Sequence, residues 1–351
     1  MHLPAEFAIG DRLVGPGHPT YVIAEAGANH NRDWDTARRL IDVAAEAGAD
    51  AVKFQTYSGA GLYSTKTPRF KYLAPLTDKS PTELLEDISL PREWQPELDA
   101  YARERGLHFF STPFDTAAVG ELAALDVPVL KIASFEIVDV ELIRAAAATG
   151  RPLIISTGMA VYGEIEDALA AAREGGAPAA GLMQCTSIYP APAELINLRA
   201  MATMERAFGV PVGLSDHSLG IAIPIAAAAL GAAFVEKHFT LDRTMSGPDH
   251  PFAVEPDELR DMVAGIRSAQ AALGDGRKAG PSEAEREEMY PLGRRSLIAT
   301  RDLPAGTKLE RDMITTKRPG FGIAPKHIDL VLGRTLTVDV EEDEILMWEM
   351  V

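Results

Sequence analysis

The chain has 351 residues, of which 46% are hydrophobic, and its formal net charge is −17. This length exceeds the needs of one small core and suits a barrel of about 250 residues followed by an additional module. The negative charge excludes nucleic acid and anionic membrane surfaces as expected partners, because phosphate groups would repel the protein.

Short β-branched runs alternate with alanine-rich helical stretches over the first 273 residues. The predicted strands are Tyr21–Glu25, Ala51–Gln55, His108–Ser111, Val129–Ile132, Pro152–Ser156, Gly181–Thr186, Val212–Leu214 and Phe234–Lys237. The predicted helices are Asp35–Ala47, Arg92–Arg105, Ala117–Leu125, Val140–Ala148, Gly163–Glu174, Leu198–Phe208, Leu219–Leu230 and Glu255–Leu273. Eight strand–helix units favour an α/β fold with a parallel sheet, closed as a (β/α)8 TIM barrel. A hairpin over Phe7–Val14, turning at Gly10 and Asp11, is expected before the first strand.

The pattern changes after the eighth unit. Residues 275–294 are polar, charged and interrupted by Gly and Pro, which predicts a linker after a catalytic domain of residues 1–274. Residues 295–351 are too short for another strand–helix series. Turns at Pro304–Gly306 and Pro319–Gly320 and a strand-like run at Leu336–Val340 indicate a small β-rich domain.

Features of the termini and of cysteine usage predict a cytoplasmic protein. The only cysteine, Cys185, excludes an internal disulfide and is typical of a reducing compartment. The first 15 residues contain no basic stretch followed by an apolar run, so no secretory signal is expected. The longest apolar stretch, Ile221–Ala229, contains Pro224 and is too short to span a bilayer.

Nearly every predicted barrel strand ends in polar or reactive side chains. In chain order they are Glu25, Asn29, His30, Lys53, Gln55, Ser111, Thr112, Lys131, Ser134, Ser156, Thr157, Thr186, Ser187, Tyr189, Ser215, Asp216, His217, Glu236 and His238. One polar strand end is commonplace, but eight converging ends are typical of an active site, because the chemistry of barrel enzymes sits at this face.

Lys53 and Lys131 are two cations on strands whose side chains face inward. One interpretation is structural pairing with Glu25 and Glu236. The other is an anion site that the hydroxyls of neighbouring serines assist. Buried lysines are costly without partners, and a bound phosphate would supply one.

His217 and His238 end successive strands and are candidates to share a metal ion, with Asp216 and Glu236 as their outer partners. A lone histidine is more often a hydrogen-bonded structural residue. Two ligands make an open site, which argues against structural zinc and favours Mn²⁺ or Mg²⁺ with water and substrate completing the coordination. Asp249, in the turn-rich loop Gly247–His250, is either a sugar-hydroxyl acceptor or a turn residue.

The ordered set of motifs resembles the sialic acid synthase family, which includes legionaminic and pseudaminic acid synthases. The motifs are Ala24–Asn31, Val52–Thr56, Ser111–Asp115, Lys131–Ser134, Ser156–Met159, Cys185–Pro190, Ser215–Gly220, Glu236–Thr240 and Lys317–Gly320. The last motif is similar to the family's C-terminal antifreeze-like (SAF) domain. The resemblance covers essentially the whole chain.

The resemblance implies a metal-dependent synthase that condenses phosphoenolpyruvate with an open-chain acylamino-mannose and releases phosphate by C–O cleavage. The implied phosphoenolpyruvate ligands are Lys53, Thr112, Lys131, Ser134, Ser156 and Ser187. The implied sugar ligands are Gln55, Tyr189, Asp249 and Arg318. His217 and His238 would hold the divalent metal, Mn²⁺ or else Mg²⁺ or Co²⁺, and Glu25 would be the catalytic carboxylate. The implied assembly is a domain-swapped homodimer in which Arg318 reaches the partner's sugar.

The sequence departs from the family pattern at two places, and two alternative functions stay open. Gln184 stands where many relatives carry histidine, and Arg32 and Asp33 replace a glycine-containing turn. The exact acceptor sugar stays open. A Schiff-base barrel aldolase using Lys53 or Lys131 is the alternative enzyme, and a non-catalytic carbohydrate-binding protein is the alternative of another class.

Overall fold

A computed structural model of the chain describes residues 2–69 and 78–351. Its strands are β1 (Phe7–Ile9), β2 (Arg12–Val14), β3 (Tyr21–Gly27), β4 (Ala51–Thr56), β5 (His108–Pro113), β6 (Leu130–Ile132), β7 (Leu153–Ser156), β8 (Ala180–Cys185), β9 (Val212–Asp216), β10 (Phe234–His238), β11 (Ser296–Ala299) and β12 (Ile314–Lys317). Its helices are α1 (Trp34–Glu46), α2 (Gly59–Leu62), α3 (Pro81–Ile88), α4 (Gln95–Glu104), α5 (Thr116–Ala124), α6 (Val140–Ala147), α7 (Tyr162–Gly175), α8 (Arg199–Phe208), α9 (Ala222–Ala229), α10 (Pro256–Leu273), α11 (Glu283–Glu287), α12 (Met289–Gly293) and α13 (Ile328–Val331). Residue contacts divide the chain into two compact units, 1–274 and 275–351.

The first unit is a nearly closed barrel of eight parallel strands. Its strand order is β5-β4-β3-β10-β9-β8-β7-β6, and β10 pairs with β3 as well as with β9. Every residue of β3, β9 and β10 is buried, because helices cover the outside of the sheet. The predicted TIM barrel is confirmed, and each of its eight strands lies within two residues of the predicted bounds.

Helix α1 has both a capping side chain and an apolar stripe. In α1, the side chain of Asp33 accepts a hydrogen bond from the Thr36 backbone N–H, which satisfies one of the unpaired donors of the first turn. Ala37, Leu40, Ile41 and Ala44 are buried at the i, i+3, i+4, i+7 spacing of an amphipathic helix. Helices α5 and α6 likewise combine an aspartate cap with buried apolar residues, whereas no side chain in the described ranges caps α4, α8 or α9.

The structure confirms the hairpin predicted before the barrel and adds two helices that were not predicted. The predicted N-terminal hairpin is confirmed, since β1 and β2 pair antiparallel with Phe7 opposite Val14. The helices α2 and α3 were not predicted. Their signal was the capping box of α3, in which the Ser80 hydroxyl and the Glu83 carboxylate each accept a hydrogen bond from the other residue's backbone N–H.

The second unit has a hydrophobic core of its own, built around Leu297, Leu303, Ile323, Leu336 and Leu346. Strands β11 and β12 pair antiparallel, and isolated β-bridges join further segments. The run at 336–340 contributes one such bridge, from Val340 to Leu303, rather than a strand. The stretch 275–294, predicted as a linker, contains α11 and α12. Across the described ranges, no helix combines the length and apolarity that a membrane span requires.

Candidate active site

Four buried charges meet inside the barrel, one each from β3, β4, β6 and β10. Lys53 Nζ lies 2.8 Å from Glu25 Oε2 and 3.6 Å from Glu236 Oε1. Lys131 Nζ lies 3.7 Å from Glu236 Oε2. The structure therefore contains the ion pairs expected under the first interpretation of the two lysines. Both lysines contact Glu236.

Hydroxyl groups surround these lysines. Lys53 Nζ donates a hydrogen bond of 3.0 Å to Thr112 Oγ1, and Lys131 Nζ donates one of 2.7 Å to Ser156 Oγ. Ser134 and Ser187 lie on either side of Gly158, where a Cβ atom would come closer than 3.0 Å to both hydroxyls. The sequence had named all four hydroxyl residues but had missed the need for glycine between two of them.

Burial opposes the charged forms of the two ammonium groups and the two carboxylates in this part of the site. Burial raises the pKa of Glu25 to about 7, although the neighbouring Lys53 acts in the opposite direction. Burial opposes ionisation of Glu236, but Lys131 and Lys53 lower its pKa. Burial also lowers the pKa of Lys131, whose ammonium has only one carboxylate within ion-pair distance among the described residues. A bound anion would stabilise both ammonium groups.

The two candidate metal ligands face each other across the ends of β9 and β10. The His217 and His238 rings have centroids 5.4 Å apart. His217 Nδ1 lies 3.0 Å from the Thr186 carbonyl oxygen, which can only accept, so Nδ1 carries a proton, and Nε2 has a free lone pair when the ring is neutral. His238 Nδ1 is buried without a hydrogen-bond partner in the described chain and lies 3.6 Å from Asp249 Oδ2. Burial lowers the pKa of His238 far below its usual value, which keeps the ring neutral.

These imidazoles fit an ion with few protein ligands. Within residues 2–69 and 78–351, no set of three His, Cys, Asp or Glu side chains is arranged to hold a metal. Asp216, expected as an outer partner of the histidines, instead bonds Lys237 Nζ at 2.6 Å and Ser218 Oγ at 2.9 Å. That expectation was wrong, because Asp216 and Lys237 are register neighbours on β9 and β10 and pair with each other.

A cavity of about 340 Å³ opens beside His238. Its polar lining includes Gln55, Ser187, Tyr189, His238 and Asp249. Burial raises the pKa of the Asp249 carboxyl to about 6. The cavity therefore brings together the predicted sugar ligands of the barrel and one predicted metal ligand.

Most of the cavity wall is apolar, and sequence reasoning missed it. The apolar lining residues are Ala28, Leu62, Pro81, Leu84, Leu85, Ile88, Phe114, Ala133, Phe135, Pro248 and Phe252. The i, i+3, i+4, i+7 spacing of Pro81, Leu84, Leu85 and Ile88 was the available signal, but no helix had been predicted there.

Arg318 belongs to the second unit, residues 275–351. Its side chain is exposed, and its Nε donates a hydrogen bond of 2.9 Å to the Gly293 carbonyl oxygen. This contact orients the guanidinium, and its two Nη groups form no hydrogen bond to the residues that the structure describes.

Comparisons with known proteins agree with these features. The NeuB family profile matches residues 40–278, and the SAF domain profile matches residues 294–351. The N,N'-diacetyllegionaminic acid synthase of Campylobacter jejuni is 41% identical over 93% of this chain and 98% of its own length. The human N-acetylneuraminate-9-phosphate synthase is 36% identical over 100% of this chain and 98% of its own.

A solved structure extends the comparison to the fold. The N-acetylneuraminic acid synthetase of Leptospira borgpetersenii matches with a TM-score of 0.73 and 35% identity, over 82% of this chain and 96% of that one. The barrel, the C-terminal match and these relatives confirm the resemblance seen in the motifs. The chain belongs to the NeuB family, whose named relatives here are synthases of sialic-type acids, and it carries a SAF domain over residues 294–351.

Proposed function

We propose that this chain is a nonulosonic acid synthase that joins phosphoenolpyruvate to an open-chain acylamino sugar of the mannose type. The observation that carries the proposal is the juxtaposition, within one barrel mouth, of a buried lysine–hydroxyl cluster and two facing imidazoles. The first suits a phosphorylated carboxylate, and the second suits an aldehyde polarised by a metal. The names of the relatives supply the class of product.

Phosphoenolpyruvate would bind to the lysine–hydroxyl cluster. Lys53 and Lys131 would neutralise its phosphate and carboxylate, and the hydroxyls of Thr112, Ser134, Ser156 and Ser187 would donate hydrogen bonds to their oxygens. Because these groups are already fixed by β4–β8, binding requires little rearrangement.

The metal and the sugar would occupy the neighbouring cavity. His217 and His238 are the proposed ligands of a divalent ion, Mn²⁺ or else Mg²⁺ or Co²⁺, and His238 Nδ1 has no hydrogen-bond partner among the described residues. When bound, the ion would polarise the aldehyde of the sugar. Gln55, Tyr189 and Asp249 line the same space and would bind the sugar hydroxyls.

The proposed reaction balances without a redox partner. The CH₂ carbon of phosphoenolpyruvate attacks the aldehyde carbon, and water adds to the adjacent cationic carbon. The C–O bond to phosphate then breaks, leaving a 2-keto acid and inorganic phosphate. Glu25 forms an ion pair with Lys53 and accepts a hydrogen bond from Gln55, so its carboxylate is held in place to stabilise the cation or to accept the proton of the attacking water.

Incubation with phosphoenolpyruvate, Mn²⁺ and a panel of acylamino-hexoses tests the proposal. We expect sugar-dependent phosphate release and a product mass equal to the sugar plus pyruvate. Isotopic oxygen in the bridging position of phosphoenolpyruvate should appear in the released phosphate. Label retained in the sugar acid would rule out C–O cleavage, and borohydride trapping of a keto substrate on Lys53 or Lys131 would indicate a Schiff-base aldolase instead.

The pH profile provides a test of Glu25. The ionised carboxylate is the form that both proposed roles require, and burial raises its pKa to about 7. We therefore expect kcat/KM to fall about tenfold per pH unit below 7 and to level off above it. Steady-state rates from pH 5.5 to 8.5 measure this. A Glu25→Gln variant should be slow and lack this inflection, whereas Glu174→Gln, at an exposed carboxylate, should keep the parent profile.

We also propose that the protein is a domain-swapped homodimer in which Arg318 binds the sugar held by the partner's barrel. Arg318→Ala and His217→Ala homodimers should each be nearly inactive. After subunit exchange, a mixed dimer contains one site with an intact barrel and an intact partner Arg318, so about a quarter of the parental activity should return under random mixing. Exchange demonstrated by mass spectrometry without recovered activity would contradict the assignment.

A further inference from the structure

The loop that follows β10 supplies two of the side chains beside His238. Asp249, at the end of this β10 loop (residues 239–249), lines the cavity, and its Oδ2 lies 3.6 Å from His238 Nδ1. A 3-10 turn, His250–Phe252, follows, and the Phe252 ring packs edge-on against the His238 ring with centroids 5.2 Å apart. Because loops are more mobile than the strands they connect, the contacts that fix this loop also fix the Asp249 carboxylate.

His250 holds the β10 loop at two points. Its side chain is fully buried and is not among the residues that line the cavity. Nδ1 lies 2.6 Å from Thr240 Oγ1, at the start of the loop, and Nε2 lies 3.2 Å from Asn31 Oδ1, in the loop between β3 and α1. Burial lowers the pKa of His250 to about 4, so the ring is neutral at pH 7, and one ring nitrogen donates while the other accepts. This imidazole therefore joins the two ends of the β10 loop and ties them to a second loop.

The backbone around this contact is shaped to accommodate it. Asn31 has a φ of +50°, in the left-handed region, which asparagine adopts more readily than most other non-glycine residues. Gly247 has a φ of +151°, and a Cβ there would lie 2.8 Å from His250 Cδ2 and 3.1 Å from Asn31 Oδ1. The β10 loop thus packs closely over the His250–Asn31 contact. Left-handed backbone at a residue such as Asn31 persists only where surrounding contacts fix it.

The same two loops meet again at the Asp249 carboxylate. The Ala28 backbone N–H hydrogen-bonds this carboxylate. A Cβ on Gly27 would lie 3.2 Å from Asp249 Oδ2 and 3.3 Å from His238 Nδ1. Gly27 and Ala28 lead directly into the segment that carries Asn31. The position of the carboxylate relative to His238 is therefore defined by how the two loops are docked, and the His250 ring hydrogen-bonds to both of them.

We infer that His250 is a positioning residue of the proposed synthase, which holds Asp249 against the sugar by fixing the β10 loop to Asn31 and Thr240. The inference rests on the proposed function and deepens it, because sugar binding then depends on a side chain outside the cavity. Loss of the ring frees the loop, and a displacement of about 1 Å in a binding group is enough to lower productive binding by a large factor. The lysine–hydroxyl cluster is built on β4–β8, so the binding of phosphoenolpyruvate should not depend on His250.

Steady-state kinetics of His250→Ala test the inference. The acceptor is 2-acetamidomannose or its 2,4-diacetamido-2,4,6-trideoxy analogue, whichever has the higher kcat/KM in the parent protein with phosphoenolpyruvate and Mn²⁺. The KM for the sugar should rise by roughly tenfold to a hundredfold. The KM for phosphoenolpyruvate should stay within about twofold of the parental value, because its site shares no contact with His250. Thr240→Val, which removes one hydroxyl contact, should raise the KM for the sugar about threefold to tenfold.

His108→Ala is the matched control. His108 is also held at both ring nitrogens, with Nδ1 at 2.7 Å from the Tyr21 hydroxyl and Nε2 at 3.1 Å from Asp11 Oδ1. It lies at the N-terminal end of β5, however, at the end of the barrel remote from the cavity. Its loss should lower the thermal stability and leave the KM for the sugar within about twofold of the parental value.

A double-variant cycle separates the positioning of Asp249 from a general loss of packing. In the parent, Asp249→Asn should raise the KM for the sugar by roughly tenfold, because the sugar loses a charged hydrogen-bond acceptor. In His250→Ala the same change should raise it by less than about twofold, because the carboxylate is already displaced. Tyr189→Phe, at a proposed sugar ligand outside the β10 loop, should have the same effect in both backgrounds.

The outcomes distinguish the inference from the function on which it rests. A parental KM for the sugar in folded His250→Ala, equal rises in both KM values, or an undiminished effect of Asp249→Asn in His250→Ala would each overturn the inference and leave the synthase function intact. An absence of phosphate release by the parent with every acceptor would overturn both. Should His250→Ala not fold, Thr240→Val and Asn31→Gly decide by the same comparison of the two KM values, because glycine keeps the left-handed backbone accessible.

Discussion

Replacing His217 or His238 with alanine is expected to lower phosphate release from phosphoenolpyruvate by at least ~100-fold. The two rings are 5.4 Å apart, and the described chain provides no third His, Cys, Asp or Glu side chain that completes a metal site with them. The loss of either ring would therefore leave one protein ligand, which cannot retain the ion. Chelation by EDTA should abolish activity in the parent protein, and Mn²⁺, Co²⁺ or Mg²⁺ should restore it.

Metal binding itself can be measured without turnover. Calorimetric titration with Mn²⁺ should show one site per chain in the parent and none in His217→Ala or His238→Ala. A His18→Ala variant is the matched control, because His18 lies outside the barrel mouth and pairs with Glu6 at 2.9 Å. Full activity of the double His217→Ala, His238→Ala variant in EDTA would contradict the metal assignment.

Replacing Lys131 with methionine is expected to raise the KM for phosphoenolpyruvate by roughly 30-fold or more. Lys131 donates to Ser156 and faces Glu236, and its loss removes a buried cation from the proposed anion site. Losing one partner of a buried charged contact costs about 2–5 kcal/mol, and 2 kcal/mol corresponds to about 30-fold. Glu236 keeps Lys53 as a partner at 3.6 Å, so we expect the barrel to stay folded.

Lys237 supplies the matched control for this experiment. It is as deeply buried as Lys131 but pairs with Asp216 at 2.6 Å and contacts the Ser218 carbonyl oxygen, outside the lysine–hydroxyl cluster. Lys237→Met should lower the free energy of unfolding by about 3–5 kcal/mol, because it removes the cation that pairs with the buried Asp216 carboxylate. Its folded fraction should keep the parental KM for phosphoenolpyruvate. Equal effects of the two substitutions on KM would show that Lys131 has no special role in binding the anion.

Sequence reasoning could find site residues that follow from a local pattern. It could not find contacts between residues that are distant in the chain. The hydroxyls of Thr112 and Ser156 were recognisable because each ends a strand of a periodic barrel pattern, and the fold brings every strand end to one face. The proximity of Gly158 to both Ser134 and Ser187 was not recognisable, because it depends on how close three loops approach. Ser80 and Glu83 form a recognisable capping box at the start of α3. The helix was nevertheless not predicted, because it is only 8 residues long and contains several polar residues.

The sequence by itself determined the barrel, its strand ends and the kinds of side chain gathered there, because the alternation of strand and helix and the polarity of each strand end are local patterns. Only the tertiary structure decided which charges meet. Two lysines two strands apart share Glu236, while Lys237 turns to Asp216, because these pairings follow from strand register and from the alternation of side chains across a strand. The placement of the apolar residues of α3 in the cavity beside His238 is likewise tertiary, since Gly59 and Arg32, which lie outside the helix, hydrogen-bond to its Glu86.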